Sequence, residues 1–597
     1  MKFKKSFHKN TIYLMFVVLL GSSLRLYGLN WDDSHHLHPD ERFIVLTAVT
    51  IHWPKNVSEY LDPEITSLSP YNTDDYKSYI YGTFPLFLTK AFADILGYGT
   101  YGKLHLVGRL LSALFDIGSL LLVYCIAINI FSKSTALLSA AFYAIAVLPI
   151  QQSHFFTADN FMVFWILLTF LLLVIFLEKE SYLSLWLSGF IGISFALALA
   201  SKVSAGLFAT LIALTFGIKF LKSAERCGWL KSMLKLLGYS FVFMLSGYIV
   251  FRLVQPYFFA TKSWIDLTPQ ADFWSALDFQ RKALSGEVMF PPQWQWVNTT
   301  PYIFPLNNLL IWGLGLPLGI ASISGLGLFF GSQIKKVTKD KLRGLKQIVF
   351  TPGFLAFFWI VVLFTYGGGN FVKPMRYFLP IVPFLIIFAA YTFEKTATID
   401  TIISKTGVCL IFTLSFLWAL AYVNIYSKET TRVAASKWIY KNIPETSVLA
   451  NEEWDDFLPL RLDDDELKKE NSKYKQYESF LIDVYNTDNS TKLEEIHKDI
   501  SRADYIILPS PRASDTIGRL PEHYPIMTNY YNYLNSGELG FEQVSEITNY
   551  PNLFGIEIDD SSAEEAFWVY DHPRVSIYKK IKDISRNEFS KLFPDYL

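Results

Sequence analysis

The chain has 597 residues, of which 51% are hydrophobic, 17% aromatic and 18% charged, and its net charge is -1. Its mean hydropathy is +0.27, and the charged fraction lies below the roughly 25% of average soluble domains. Because the apolar residues form long blocks, composition excludes a disordered protein, a fibrous protein and a purely cytosolic enzyme.

Eleven segments are apolar enough to predict membrane-spanning helices, since a helix needs about 20 mostly apolar residues to cross a bilayer. Four lysines precede the first segment and no convincing cleavage site follows it, so we predict a retained helix rather than a signal peptide. The chain is therefore predicted to be mainly α-helical, with a polytopic bundle over residues 1–429. The predicted spans are 11–29, 104–130, 135–150, 159–177, 184–200, 204–221, 236–256, 308–331, 351–367, 376–394 and 407–426.

Lysine and arginine residues concentrate in alternate connecting segments, at 222–235, at 335–346 and at 395–405. The positive-inside rule places such segments in the cytoplasm. We therefore predict a multi-pass protein of the cell inner or plasma membrane with a cytoplasmic N-terminus. The large loops 30–103 and 257–307 and the C-terminal residues are then predicted to lie outside.

The first large loop contains a histidine-rich segment that ends in Pro39, Asp40 and Glu41. Proline suits the start of a helix, and acidic residues are favoured in a first helical turn, so a helix is predicted from Pro39 to about His52. One interpretation is a capped interfacial helix with surface acids. The other is a pair of fixed carboxylates, one of which acts as a general base.

Further charged and polar residues are predicted at the same outer face of the bundle. A single outer lysine or arginine is usually an anchor whose charged end reaches the lipid headgroups. Cations gathered with carboxylates on one face are harder to explain in that way. These residues are Arg109, His154, Asp159, Lys202, Lys373 and Arg376.

Such a set favours group transfer from a lipid phosphate. Cations stabilise the charge that develops on a leaving phosphate, and the arginine fork matches two phosphate oxygens. A carboxylate can take the proton of an acceptor hydroxyl. Since no nucleotide-phosphate loop occurs in a strand–helix context, an activated lipid fits better than a nucleotide sugar.

Residues 430–597 are predicted to form a soluble mixed α/β domain outside the membrane. They carry 31 acidic and 19 basic residues, whereas the rest of the chain is basic. No separate basic patch indicates a nucleic-acid partner, and three cysteines in or between apolar blocks predict neither a disulfide framework nor a cysteine-rich metal site. Strands are predicted at 447–450, 480–485, 505–509 and 568–579, and helices at 492–501 and 582–593.

Over residues 20–395 the chain resembles the C-type membrane glycosyltransferases, the GT-C fold. It is similar to the branch with the protein O-mannosyltransferases of glycosyltransferase family 39 and the lipid A aminoarabinose transferases. The resemblance depends on His38-Pro39-Asp40-Glu41-Arg42-Phe43, Gly108-Arg109-Leu110-Leu111-Ser112-Ala113, the segment His154 to Asp159, Ala200-Ser201-Lys202, and Arg376-Tyr377-Phe378-Leu379-Pro380-Ile381-Val382-Pro383.

The resemblance implies an inverting transfer of a sugar from a polyprenyl-phosphate donor. Asp40 would be the base that deprotonates the acceptor hydroxyl or the group that positions it, and Glu41 would orient the site or bind the acceptor. The resemblance also implies a donor phosphate held by Arg109, Lys202, Lys373 and Arg376, and a cavity that also contains His154 and Asp159. The acceptor could be a lipid, a glycan or a protein.

The histidines before Pro39 depart from the better-known members of that group. They leave a divalent metal open, with His38 as a ligand, because histidine with aspartate or glutamate can hold zinc or manganese. A chance cluster in a polar loop is the alternative, and no cofactor is firmly predicted.

Two other classes of protein remain open. A transporter would need ionisable residues deep in the bundle, where Asp116 is the one candidate that we identify. A membrane-anchored ectodomain without catalysis is the second, although it leaves the cations on the outer turns unexplained.

Overall fold

The computed structural model describes residues 2–73, 79–179, 182–469 and 471–594. The chain packs as two compact units. The first, called the membrane unit here, comprises Met1–Leu29, Pro39–Val288 and Thr299–Val423. The second, called the tail unit, comprises Asn30–His38, Met289–Asn298 and Asn424–Leu597. The predicted domain boundary after residue 429 stays a prediction.

The membrane unit is built almost entirely of helices. Short 3-10 turns occur at Val203–Phe208, Pro256–Phe258 and Met375–Ile381, and a π turn at Leu309–Gly313. The α-helices are Lys2–Leu26, Pro39–Thr50, Val57–Leu61, Thr83–Leu96, Tyr101–Ile130, Lys133–Ala144, Val147–Ser153, Asp159–Glu178, Leu183–Ser201, Ala209–Cys227, Trp229–Val254, Ala271–Ser285, Ile303–Asn308, Leu316–Val349, Pro352–Gly368, Val382–Ala397 and Thr401–Val423.

Among the described residues, eight helices are long and apolar enough to cross a membrane, or nine if one bent pair is a single span. The multi-pass helical bundle is therefore confirmed, but the count of eleven is not. The bent pair, Lys133–Ala144 with Val147–Ser153, turns by 54° and corresponds to the single predicted span 135–150. The predicted spans 11–29 and 351–367 correspond to shorter apolar helices, Asn10–Leu26 and Pro352–Gly368.

The span Met375–Ala397 is the most enclosed of the eight candidate membrane spans, with 83% of its apolar stretch buried, against 0% in Trp229–Val254. A helix that is apolar all round and buried has neighbours on every side. The position of its first turn, which carries Arg376 and Tyr377, is therefore fixed by packing.

Asp116 lies inside the bundle in a buried ion pair. The Arg25 Nε donates to its carboxylate at 2.5 Å, and the two side chains are 0% and 1% exposed. The Tyr143 hydroxyl donates to the same carboxylate at 2.5 Å, and Arg25 also donates to the carbonyl oxygen of Ala144 at 2.9 Å. A buried charge is costly unless it is paired. The cluster therefore holds together the three helices that carry Arg25, Asp116 and Tyr143.

The tail unit contains a five-stranded mixed sheet. Its strands are β1 Val448–Glu452, β2 Glu478–Ile482, β3 Tyr505–Leu508, β4 Phe541–Ile547 and β5 Val575–Lys580. The strand order is β2-β1-β3-β5-β4. β1 pairs with β2 and β3 in parallel, whereas β5 runs antiparallel to β3 and β4.

Helices surround this sheet, and a small ribbon pairs Asn552–Leu553 with Ile556–Glu557. The predicted mixed α/β fold is confirmed. The predicted strand 568–579 starts only at Val575, because Trp568 ends a short helix, and β4 was not predicted because its solvent face is polar. The helices are Thr431–Asn442, Asp464–Lys469, Ser490–Arg502, Arg512–Gly518, Pro525–Ser536, Glu565–Trp568 and Arg586–Leu592, with 3-10 turns at Pro291–Trp296 and Asn424–Ser427.

Candidate active site

The predicted helix begins at Pro39 and places Asp40 and Glu41 in its first turn. It ends at Thr50, so His52, which we expected inside the helix, lies beyond it. Successive helical residues are about 100° apart around the axis, and the two acids consequently enter different surroundings.

Glu41 is completely buried and accepts three hydrogen bonds. Arg109 donates to its two oxygens from Nε at 2.9 Å and from Nη2 at 2.5 Å, and the backbone N–H of Phe156 donates at 2.8 Å. Arg109 is also 0% exposed and donates from Nη1 to the carbonyl oxygen of Leu29 at 2.8 Å. This two-point, charge-assisted pair fixes the start of the helix against the span Tyr101–Ile130.

Gly108 explains how Phe156 comes so close to this pair. A Cβ atom at position 108 would lie 2.2 Å from the Phe156 ring. Any larger residue would push the ring away, together with the backbone N–H that holds Glu41.

Asp40 forms a more open pair. Arg376 Nη1 lies 2.5 Å from its carboxylate oxygen, and the side chains of Asp40 and Arg376 are 22% and 18% exposed. Tyr81 lies near enough for both charges to act on it. Burial raises the pKa of Tyr81 well above its ordinary value, the negative charge of Asp40 adds to this, and Arg376 opposes it, so the phenol stays a neutral hydroxyl.

A second partly open pair joins Lys202 and Asp159. The Lys202 Nζ lies 2.8 Å from the Asp159 oxygen, with side-chain exposures of 16% and 3%. Asp159 begins the helix Asp159–Glu178, where the helix dipole favours a negative charge.

Tyr377 lies between the two open pairs. The Lys202 Nζ is 4.9 Å from the centre of its ring, and the guanidinium carbon of Arg376 is 5.8 Å from it, both within the range of cation–π attraction. Thus the pair Asp40–Arg376 and the pair Asp159–Lys202 meet around one aromatic ring, although they come from four distant parts of the chain. We call these four residues with Tyr377 the paired cluster.

The turn that carries Lys202 is held from the other side by Gly82. The Gly82 N–H donates to the carbonyl oxygen of Ser201 at 3.1 Å, and a Cβ at position 82 would lie 1.8 Å from the carbonyl oxygen of Ala200. Only glycine permits this approach of two backbones.

Lys373 and His154 make other contacts. The Lys373 ammonium donates to the carbonyl oxygen of Phe371 in its own loop at 3.0 Å, and burial lowers its pKa. Both ring nitrogens of His154 lie 2.8 Å from carbonyl oxygens, those of Ile150 and Tyr27, so this buried ring links two backbone segments. The structure does not place Lys373 within hydrogen-bonding distance of the carboxylates of the paired cluster.

His38 belongs to the tail unit, where its ring centre lies 4.4 Å from that of Tyr570. In the described part of the chain, no group of three or more His, Cys, Asp or Glu side chains is arranged to hold a metal ion. The use of a divalent metal stays an untested prediction.

Two residues of this region were not singled out from the sequence. Tyr81 follows Tyr79 in an aromatic-rich loop, and Tyr377 lies in the motif that begins at Arg376, but an aromatic side chain between apolar segments is most often part of a core. Only the position of Tyr377 between two cations distinguishes it.

Comparison with known proteins gives the class of fold that the sequence predicted. The profile of the family described as dolichyl-phosphate-mannose-protein mannosyltransferase matches residues 84–250. The oligosaccharyltransferase AglB from Archaeoglobus fulgidus, solved with an inhibitory peptide and a dolichol-phosphate, superposes with a TM-score of 0.50 at 14% identity, over 89% of this chain and 73% of that protein.

ArnT from Cupriavidus metallidurans, solved with undecaprenyl phosphate, gives a TM-score of 0.45 at 11% identity over 95% of this chain and 97% of that one. A sequence search against curated proteins finds no match. The predicted resemblance to C-type membrane glycosyltransferases is confirmed, and the chain has the GT-C fold.

Proposed function

We propose that this protein transfers a sugar from a polyprenyl-phosphate donor to a hydroxyl acceptor at the outer side of the membrane. The observation that carries the proposal is the paired cluster, in which Arg376 and Lys202 meet around Tyr377 with a carboxylate beside each cation. The dolichol-phosphate bound to AglB and the name of the matching family support a lipid-phosphate donor.

The two cations would bind the donor phosphate. Their present partners, Asp40 and Asp159, are carboxylates at 2.5 Å and 2.8 Å, and a phosphate group can replace a carboxylate on the same guanidinium fork or ammonium. Partial exposure of the Asp40–Arg376 pair makes this exchange cheaper than it would be for a buried pair. Positive charge held there stabilises the phosphate as it leaves.

Replacement of Asp40 by phosphate on Arg376 would also free Asp40 to act as the base. A carboxylate held by a guanidinium is a poorer proton acceptor than a released one. Once the phosphate draws Arg376 away, Asp40 takes the acceptor hydroxyl proton while that oxygen attacks the sugar C1. The C1–O bond to phosphate breaks, its electron pair stays on phosphate, and the configuration at C1 inverts.

Glu41 and Arg109 would act as positioning residues in this scheme. Arg109 could reach a donor phosphate only by leaving Glu41, and both side chains are completely buried. Its predicted role as a phosphate ligand is therefore replaced in our proposal by support of the helix that carries Asp40. Lys373 keeps its predicted role as a ligand of the donor phosphate, and His154 and Asp159 keep their predicted places in the wider cavity, as proposals.

Transport receives no specific support. Asp116, the residue that a transporter would use, is engaged by Arg25 and Tyr143.

The donor class can be tested with the full-length protein in nanodiscs. Incubation with radiolabelled polyprenyl-phosphate sugar and native membrane acceptors should transfer label, whereas the matching nucleotide sugar should not. Arg376→Gln should abolish most of the transfer, and Lys262→Gln, which alters an exposed ion pair with Asp62, serves as the control. Transfer from the nucleotide sugar alone would contradict the proposal.

A further inference from the structure

The tail unit contains a polar pocket of about 160 Å³ next to the end of strand β3. A water molecule occupies about 30 Å³ in the liquid, so the pocket has room for a small ring. Its lining includes hydroxyl, amide and charged side chains, among them Ser510, Asp515, Tyr531, Asn535, Arg574 and Tyr578.

The pocket lies beside the carboxyl end of β3 and the neighbouring antiparallel strand β5, which contributes Ser576 and Tyr578 to its lining. Ser510 follows the carboxyl end of β3, which pairs in parallel with β1, and ligand crevices of open α/β sheets form outside the carboxyl ends of parallel strands.

The polar groups at the base of the pocket are held in place by hydrogen bonds. The buried Tyr531 hydroxyl donates to Glu452, the last residue of β1, at 2.6 Å. The Tyr578 hydroxyl donates to the Asn535 amide oxygen at 2.6 Å. A rigid tyrosine base with an exposed asparagine at the rim presents fixed donors and acceptors rather than a mobile surface.

The charges of the pocket argue against an anionic or cationic ligand. Its lining contains one acid, Asp515, and one base, Arg574. Burial raises the pKa of Asp515, and the positive charges of Arg574 and Arg519 oppose this. An anion that approached Arg574 would therefore meet Asp515 as well. Neutral hydroxyl groups, which both donate and accept, can satisfy the carboxylate, the guanidinium, the amides and the phenols together.

We propose that this pocket binds one ring of a neutral saccharide. The proposal does not depend on the transfer reaction, because it concerns a site contained wholly in the tail unit. If transfer also occurs, the pocket would give the protein a second carbohydrate contact besides the paired cluster.

The test uses the full-length protein in nanodiscs on an array of neutral mono- and disaccharides that includes methyl α-mannoside and N-acetylglucosamine. We expect at least one of these to bind, and Asp515→Asn and Asn535→Ala each to weaken that binding by tenfold or more. Asn529→Ala, on the helix of Asn535 but outside the pocket, should bind like the parent, and so should Lys262→Gln in the membrane unit.

A variant that fills the pocket distinguishes a loss of binding from a loss of folding. A Cβ atom at Gly518, which lines the pocket, meets nothing within 4 Å, so Gly518→Phe should obstruct the pocket without changing the thermal unfolding of the protein, and binding should be lost. Three results would overturn the proposal: no saccharide binds, the pocket variants bind as well as the parent, or inorganic phosphate displaces the sugar.

Discussion

The two acids at the start of the helix Pro39–Thr50 are adjacent in sequence but occupy opposite environments. Glu41 and its partner Arg109 are both 0% exposed, whereas Asp40 and Arg376 are 22% and 18% exposed. Glu41 also accepts a backbone hydrogen bond from Phe156. The first pair is enclosed and the second is open.

This difference in exposure distinguishes an ion pair that supports the structure from one in which a ligand can replace a partner. Separating a buried ion pair costs much free energy, because each charge is then left without a partner in an interior of low dielectric constant. An open pair loses little when a ligand takes the place of one partner, because water can solvate the other. We therefore assign a positioning role to the pair Glu41–Arg109 and chemistry to the pair Asp40–Arg376.

The largest expected effect on stability comes from breaking the enclosed pair. Arg109→Met leaves Glu41 buried without its countercharge and should lower the free energy of unfolding by about 3–5 kcal/mol. Thermal unfolding in detergent, or yield of folded protein, measures this loss. The double variant Glu41→Leu with Arg109→Met should recover most of it, and equal instability of the single and double variants would refute the assigned support.

Arg376→Gln tests the open pair. We expect transfer to fall by about 10²–10³-fold, the usual effect of removing one group that stabilises developing negative charge. Unfolding should change by about 1 kcal/mol or less, because a partly solvated ion pair contributes little. A loss of stability as large as that of Arg109→Met would erase the distinction between the two pairs.

A pH-dependent effect on stability is expected from a buried charge cluster in the tail unit. His572 lies between Asp560 and Asp571 at 2.8 Å and 2.6 Å. Burial lowers the pKa of His572, but the two carboxylates more than offset this and raise it to about 10 from 6.5. Its contribution to stability should therefore be complete below pH 6.5 and disappear as the pH rises through 10.

Thermal unfolding followed by tryptophan fluorescence between pH 6 and pH 10 measures this dependence. The parent protein should lose stability over that range, and His572→Gln should have a flatter profile with lower stability at pH 6. Parallel profiles for the two proteins would contradict the charged state that we assign to His572.

The sequence predicted the first turn of the helix Pro39–Thr50 because proline and acidic residues have strong local preferences there. It also identified each residue of the paired cluster except Tyr377. It could not predict which acid pairs with which cation, since Arg109 and Arg376 are equally suitable partners by type. That choice depends on the close approach of Phe156 to Gly108 and on the enclosure of the span that begins at Met375.

Hydropathy likewise located the apolar blocks but not their breaks. The bend between Ala144 and Val147 falls inside one continuous apolar run, where no polar residue marks it. In the tail unit, the edge strand β4 exposes Glu542 and Gln543, so it lacks the apolar signal that revealed the central strands β1 and β3.

The central claim is that Asp40 accepts the acceptor proton while the cations hold the donor phosphate. The most direct measurement compares donor binding and single-turnover transfer for Asp40→Asn in nanodiscs, with Asp62→Asn from the same outer loop as the control. We expect donor binding to be unchanged or tighter, because a competing carboxylate charge is removed, and transfer to fall by about 10²–10⁴-fold. Transfer at the parent rate, or a loss of donor binding that accounts for the whole decrease, would contradict the account.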